Sequence, residues 1–165
     1  MIYIKQYEVY YDSSLCLTFA TKKCIVPRVS FFMCEKKSLW CSYQSVVFNL
    51  QQHPVYPCFA ILTAFNPRSI VLSNKENLSR HHQLELVLKS QYQGVLPISC
   101  SASDGQWQEL GFVVPMPLAC ACREAARWEQ NAIYWVEGNN LFLVPVLLKG
   151  FEAQRLGDWP SFLYT

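Results

Sequence analysis

Residues 58–77, CFAILTAFNPRSIVLSNKEN, decide the fold. Cys58 to Phe65 is a continuous apolar run of strand length, the pattern of a central strand covered by other elements. It stops abruptly at Asn66-Pro67, where a turn takes over. Ser73 then opens a helix with Glu76 three residues later, the spacing of a capping box. The apolar spacing carries that helix to about Gln93, and Gly94 closes it.

Downstream, VLPISC (95–100) and LGFVVPM (110–116) predict two further strands, joined by the loop SASDGQWQE with its Asp104-Gly105 turn signal. PLACACREAARWEQ (117–130) predicts a second helix, with Leu118, Cys122, Ala125 and Ala126 as its buried stripe and Arg123, Glu124 and Arg127 in water. NAIYWV (131–136) is a fourth strand, EGNN a turn, and LFLVPVLLK (141–149) a fifth. Pro145 has no N–H to give a ladder, which predicts a place for that strand at a sheet edge. The order β-α-β-β-α-β, then β, predicts an α+β fold. It consists of a ferredoxin-like βαββαβ core over 58–149, an antiparallel sheet with helices on one face, and an extra C-terminal edge strand.

Residues 1–57 read as an extension packed on that core. IKQYEVYY and VSFFMC are candidate strands. KKSLWCSYQSVVFNLQQH is a candidate helix with Ser38 as N-cap and Leu39, Tyr43, Val46, Val47 and Leu50 at helical spacing, ended by His53-Pro54 and Tyr56-Pro57. The tail 150–165 carries Phe151, Trp159, Phe162 and Tyr164 and is expected to pack, giving one compact domain.

The chain has 165 residues, 52% hydrophobic and 16% charged, which excludes a disordered chain and allows a sizeable core. A net charge of +2 with no Lys/Arg run argues against nucleic acid. No run reaches the ~18 apolar residues of a membrane helix, and MIYIKQYEVYYDSS is not a signal peptide. The expectation is a cytoplasmic protein. The eight cysteines then read as free thiols. Cys120 and Cys122 on a helix point about 200° apart, so neither a metal site nor a cofactor is expected.

The ferredoxin-like order brings several polar segments to one end of the sheet. The first strand ends at Thr63 and Asn66, with Arg68 on the loop. The hairpin supplies Asp104, Trp107 and Glu109, and the fourth strand begins after Gln130 and Asn131. On the first helix the stripe Leu84, Val87, Leu88 and Gln91, extended backward, meets Asn77, Arg80 and His81, so its apolar face turns polar in its first turns. Each residue alone has a structural explanation as a turn, a cap or a solvated group. Together they form a candidate ligand site.

The stretches FAILTAFNPRS, NLSRHHQLELVL, SDGQWQELGFVV and EQNAIYWVEGNNLFLVPVLL resemble, in the same order, the uncharacterised bacterial family called domain of unknown function 3293. The family's T-A-W/F-N-P motif, its Asn on a Leu-bearing helix, its Trp- and Glu-bearing loop and its Q-N-A strand start would carry onto Thr63, Asn66, Asn77, Trp107, Glu109, Gln130 and Asn131. The chain keeps Ser38 but departs from the family at Glu35, Lys36 and Lys37, where the family's pattern has a Gly region. The resemblance implies no activity.

Three functions compete. In a structural or partner-binding protein, the amides tie loops together and the aromatic N-terminal segment covers a partner. In a binding module, the amides read a small polar or anionic ligand such as a nucleotide. A helix N-terminus and Arg68 or Arg80 would hold its charge, and Trp107 would stack on a ring. In a small hydrolase or transferase, Glu109 and Asp104 would act as acid or base with Arg68 and Arg80 as anion clamp and His81 and His82 nearby. No Ser/His/Asp order, Gly-rich phosphate loop or HExxH supports that last reading.

Overall fold

The structure is a computed structural model that describes residues 28–103, 105 and 107–164, with side-chain surroundings from residue 35 onward. The expected strand IKQYEVYY and the turn residue Asp104 lie outside the described residues. Among the described residues, three helices and seven strands make an α+β fold.

Helix α1 is Arg28–Tyr43 and strand β1 is Val46–Asn49. Both correct the sequence reading. VSFFMC, expected as a strand, lies inside α1, because a short apolar run does not distinguish strand from helix and here the helix continues through Glu35 to Trp40. The predicted helix does not continue to Leu50. Backbone bonds from Gln44 N–H to Cys41 O and from Ser45 N–H to Ser42 O close α1 in a turn. Val46 and Phe48 then alternate inward as strand residues.

Strand β2 is Cys58–Thr63, and Pro67–Ser69 forms a 3₁₀ turn. Helix α2 (Asn74–Gln91) starts with the predicted capping box: the Ser73 hydroxyl accepts from Glu76 N–H, and the Glu76 carboxylate accepts from Ser73 N–H at 3.0 Å. β3 (Leu96–Ala102) and β4 (Gln108–Val114) form a hairpin, α3 is Leu118–Arg127, and β5 is Ala132–Glu137. β6 (Asn140–Pro145), β7 (Gln154–Asp158) and a 3₁₀ turn at Trp159–Phe162 complete the chain.

The sheet order is β1-β3-β4-β2-β5-β6-β7, with every pair antiparallel. β6 is therefore not the edge that Pro145 suggested. β7 covers it, but only from Asn140 to Leu143, so Pro145 sits beyond the β7 ladder where its missing N–H leaves nothing unpaired. The tail crosses back to β1: Leu163 bridges Phe48, and Tyr164 N–H donates to Phe48 O at 2.8 Å. The two sheet edges are thus drawn together, and the sheet curls.

Both α2 and α3 pack on the outer face, where Leu84, Leu88, Ala121 and Ala125 meet Leu62, Phe112, Ile133 and Trp135. The α3 stripe differs from expectation. Leu118 is exposed, Ala121 takes the core position, and Glu124 is buried rather than in water. Glu124 tolerates burial because Trp128 Nε1–H donates to it at 3.0 Å and Arg127 at 3.1 Å. The inner face of the curl holds Phe48, Phe59, Ile61, Cys100, Val136 and Trp159. The end of α1 covers one flank, with Trp40 stacked on Phe151 at 4.7 Å and packed near Leu143 and Leu148. Gly111 on β4 is required by close approach, since a Cβ there would stand 2.6 Å from Leu62 O.

Candidate functional site

At the end of β2 the backbone leaves the sheet through a sequence of strained residues. Thr63 Oγ1 donates to Leu110 O (3.0 Å) and accepts from Phe65 N–H (3.1 Å), fixing the exit angle. Asn66 (φ 45°), Arg68 (φ 53°) and Ser69 (φ 63°) are left-handed, as is Glu129 (φ 59°) across from them. Asn adopts this conformation readily; Arg, Ser and Glu do so at a cost, and such residues gather where surroundings over-determine the backbone.

Those surroundings are visible bond by bond. Asn66 N–H donates to Asn77 Oδ1 (2.8 Å), and its Oδ1 accepts from Leu72 N–H (2.9 Å) and Asn77 Nδ2 (2.8 Å). Its Nδ2 donates to Glu109 Oε1 at 3.1 Å. One side chain thus joins the β2 exit, the loop, α2 and β4. Arg80 Nε donates to Ala64 O (2.7 Å) and its terminal nitrogen to Trp128 O (2.9 Å), with the guanidinium 5.7 Å from the Trp128 ring centre. Gln130 Nε2 donates to Phe65 O (3.0 Å) and Trp128 O (3.2 Å). Arg68 pairs with Glu129 at 2.8 Å in solvent, and its N–H donates to Glu129 O. Asn131 Nδ2 donates to Ser69 Oγ (2.7 Å), which shares a hydrogen bond with Tyr43 O–H (2.8 Å).

Two cavities meet at Glu109. The inner one, about 40 Å³, is enclosed by Thr63, Asn66, Ser69, Cys100, Trp107, Glu109, Gln130 and the rings of Tyr43 and Tyr134. The outer one is an open cleft of about 280 Å³ lined by Phe65, Asn66, Val71, Leu72, Asn74, Asn77, Trp107, Gln108 and Glu109. Asn66, Trp107 and Glu109 line both. Glu109 and Trp107 are 7% and 8% exposed. Asn66 Nδ2 donates to the Glu109 carboxyl, and Trp107 Nε1–H has no partner among the described residues.

Burial sets the acid–base character here. It raises the Glu109 carboxyl above its ordinary range, against the opposing Asn66 amide. It also raises the Tyr43 and Tyr134 hydroxyls and the Cys100 thiol, and so favours the neutral thiol at Cys100. Among the described residues no three of His, Cys, Asp and Glu gather to hold a metal.

The structure therefore brings Thr63, Asn66, Asn77, Trp107, Glu109 and Gln130 to the cavities. Arg68, Arg80 and Asn131 line neither; they tie the loops that shape them. Of the groups bearing a polar atom in the inner cavity's lining, four escaped the sequence reading: Tyr43, Ser69, Cys100 and Tyr134. Cys100 faces Glu109 as its cross-strand partner, which the hairpin register would have shown had the turn length been known. Tyr43 arrives from α1, whose docking no local pattern encodes. Tyr134 and Trp135 point to opposite faces of β5: Trp135 is core, and Tyr134 O–H donates to Tyr43 O (2.7 Å), so neither ring is an exposed platform.

With this geometry in view, comparison with known proteins gives one match. Residues 62–133 match the family described as protein of unknown function (DUF3293). The DUF3293 stretch runs from the end of β2 to the start of β5 and contains every site residue named from the sequence. No curated protein and no solved structure matches the chain. No activity is established, and no described helix is long and apolar enough to cross a membrane.

Proposed function

We propose that this chain is a small-ligand-binding module whose outer cleft receives a compact polar molecule beside Glu109 and Trp107. The βαββαβ segment reads as a ferredoxin-like scaffold that carries the cleft at one sheet end. The free thiols of Cys41, Cys58, Cys100, Cys120 and Cys122 suit a reducing compartment such as the cytoplasm. One observation carries the reading: the buried Trp107 Nε1–H has no hydrogen-bond partner among the described residues, and Trp107 borders an open cleft beside the buried Glu109 carboxyl. A folded protein rarely leaves such groups without partners, because each unsatisfied one costs about 1–3 kcal/mol. Its volume of about 280 Å³ lies near the lower end of ligand sites, about 300–1,000 Å³.

The structural reading has its own support, since Asn66, Asn77, Arg80 and Gln130 spend their polar groups on loops. The two readings combine: these residues build the wall, and Glu109 with Trp107 faces the occupant. An enzyme finds less support, because the cavity linings hold one carboxyl group, no histidine and no activated nucleophile among the described residues. Thermal-shift screening of nucleosides, amides, amino acids and acidic metabolites tests the proposal. At least one compound should raise the melting temperature of the wild type and fail to do so in Trp107→Phe. If none does, the cluster is a loop tie alone.

A further inference from the structure

The chemistry of the cleft narrows its ligand. Among the described residues, neither cavity is lined by a lysine, arginine or histidine. Arg80 is committed to Ala64 O and Trp128 O, and Arg68 to Glu129. A phosphate or carboxylate would therefore find no countercharge among the described lining residues and would sit beside the Glu109 carboxyl, which is unfavourable. What the walls offer is one indole N–H in need of an acceptor and one carboxyl with an oxygen that Asn66 does not use. Trp107 and Glu109 line the same cleft, so a ligand that satisfies both supplies an acceptor and a donor.

Resting on the ligand-binding reading above, we infer that the cleft recognises a neutral cis-amide edge, a ring N–H beside a C=O, as in lactams, ureides and oxo-bases. The ligand N–H donates to Glu109, and its C=O accepts from Trp107 Nε1–H. A primary ammonium would satisfy Glu109 and leave the indole orphaned. A lone carbonyl would satisfy the indole and leave Glu109 short. The edge matches both, and it does so whether the carboxyl accepts as an ion or exchanges donor and acceptor as a neutral acid. Asn66 holds Glu109 by one oxygen, and Phe65, Val71 and Leu72 supply apolar wall for the rest of a single ring.

The test reads the indole directly. In nitrogen–proton correlation spectra of the full chain, the Trp107 indole resonance is assigned by its loss in Trp107→Phe. The chain is then titrated with 2-pyrrolidinone, hydantoin, methylammonium, acetate and inorganic phosphate. The two cyclic amides should move that resonance saturably, and the three charged probes should not. Glu109→Leu should weaken the cyclic amides about tenfold, the loss of one buried hydrogen bond. Should that variant fail to fold, Trp107→Phe followed by ligand-detected saturation transfer gives the same comparison. A saturable response to methylammonium or phosphate with the cyclic amides silent overturns the inference and leaves the binding reading standing. Silence to all five also overturns it; the binding reading falls with it only if the broader thermal screen is silent too.

Discussion

Asn66 and Asn77 hold each other reciprocally: Asn66 N–H donates to Asn77 Oδ1 and Asn77 Nδ2 donates to Asn66 Oδ1, both at 2.8 Å. The pair locks the first turn of α2 to the exit of β2, and Asn66 extends it to Leu72 and Glu109. Asn66→Ala removes the side-chain bonds and places a Cβ-bearing, non-Asn residue at φ 45°. The expected loss is roughly 2–4 kcal/mol in urea unfolding. Asn66→Gly removes the same bonds but tolerates the left-handed backbone, so it should lose about 1 kcal/mol less. Equal losses would mean that the backbone is not strained there.

Arg80 bonds two carbonyls with one planar group, Ala64 O at the end of β2 and Trp128 O at the end of α3. A lysine ammonium cannot span both with the same fork. Arg80→Lys and Arg80→Met should therefore destabilise by similar amounts, roughly 1–3 kcal/mol, because at least one buried carbonyl loses its donor in each. Equilibrium denaturation of both variants checks this. Full stability in the lysine variant would reassign Arg80 to charge rather than geometry.

How much of this was legible beforehand follows from the range of each signal. The β2–α2 junction was readable because its cues are local: an apolar run, Asn66-Pro67 and the Ser73/Glu76 capping box. Asn77, Arg80 and His81 were found because a helical stripe that turns polar is a periodic signal. The uses of Arg68 and Arg80 were not readable, since their acceptors lie 61 and 48 residues away on the α3–β5 loop. Val46–Asn49 was misread for a related reason. Its spacing continues the helical pattern of Leu39 and Tyr43, and only pairing with β3 makes it a strand. Likewise Pro145 signalled an edge correctly for its own residue, while β7, formed by the tail, took the edge from the rest of β6.

Gly111 tests the close approach of β2 and β4. A methyl group 2.6 Å from Leu62 O meets backbone, which cannot rotate away. Gly111→Ala should cost about 1–3 kcal/mol through overpacking and shift amide resonances of Leu62 and Thr63. A stability unchanged from wild type would show that the central strands separate without penalty.

His81 stacks on Phe112 at 4.5 Å, with Nδ1 buried and without a partner among the described residues. Burial lowers its pKa below the ordinary 6.5, outweighing Glu85, which raises it. The unfolded chain therefore takes up the proton first as pH falls. Stability should decline below about pH 6.5 and level off once the folded imidazole is also charged. Melting temperatures from pH 7.5 to 5 should fall less in His81→Gln than in the wild type. Parallel curves would place the imidazole in solvent.

Glu109 carries the opposite sign. Burial raises its carboxyl above the ordinary 4.5, so the folded protein prefers the neutral acid. Below about pH 4.5 both states are protonated and the contribution to stability is complete. As pH rises, the unfolded chain ionises first, and stability is lost progressively until the folded carboxyl ionises too. Glu109→Gln, which cannot ionise, should therefore melt higher than the wild type at pH 8, with the gap closing toward pH 4. A cyclic amide bound in the cleft should narrow the gap at pH 8 as well, since it supplies the wild-type carboxylate with a donor. If the variant and the wild type melt in parallel across that range, Glu109 is ionised at no cost, and the cleft holds a compensating cation rather than space for a neutral ligand.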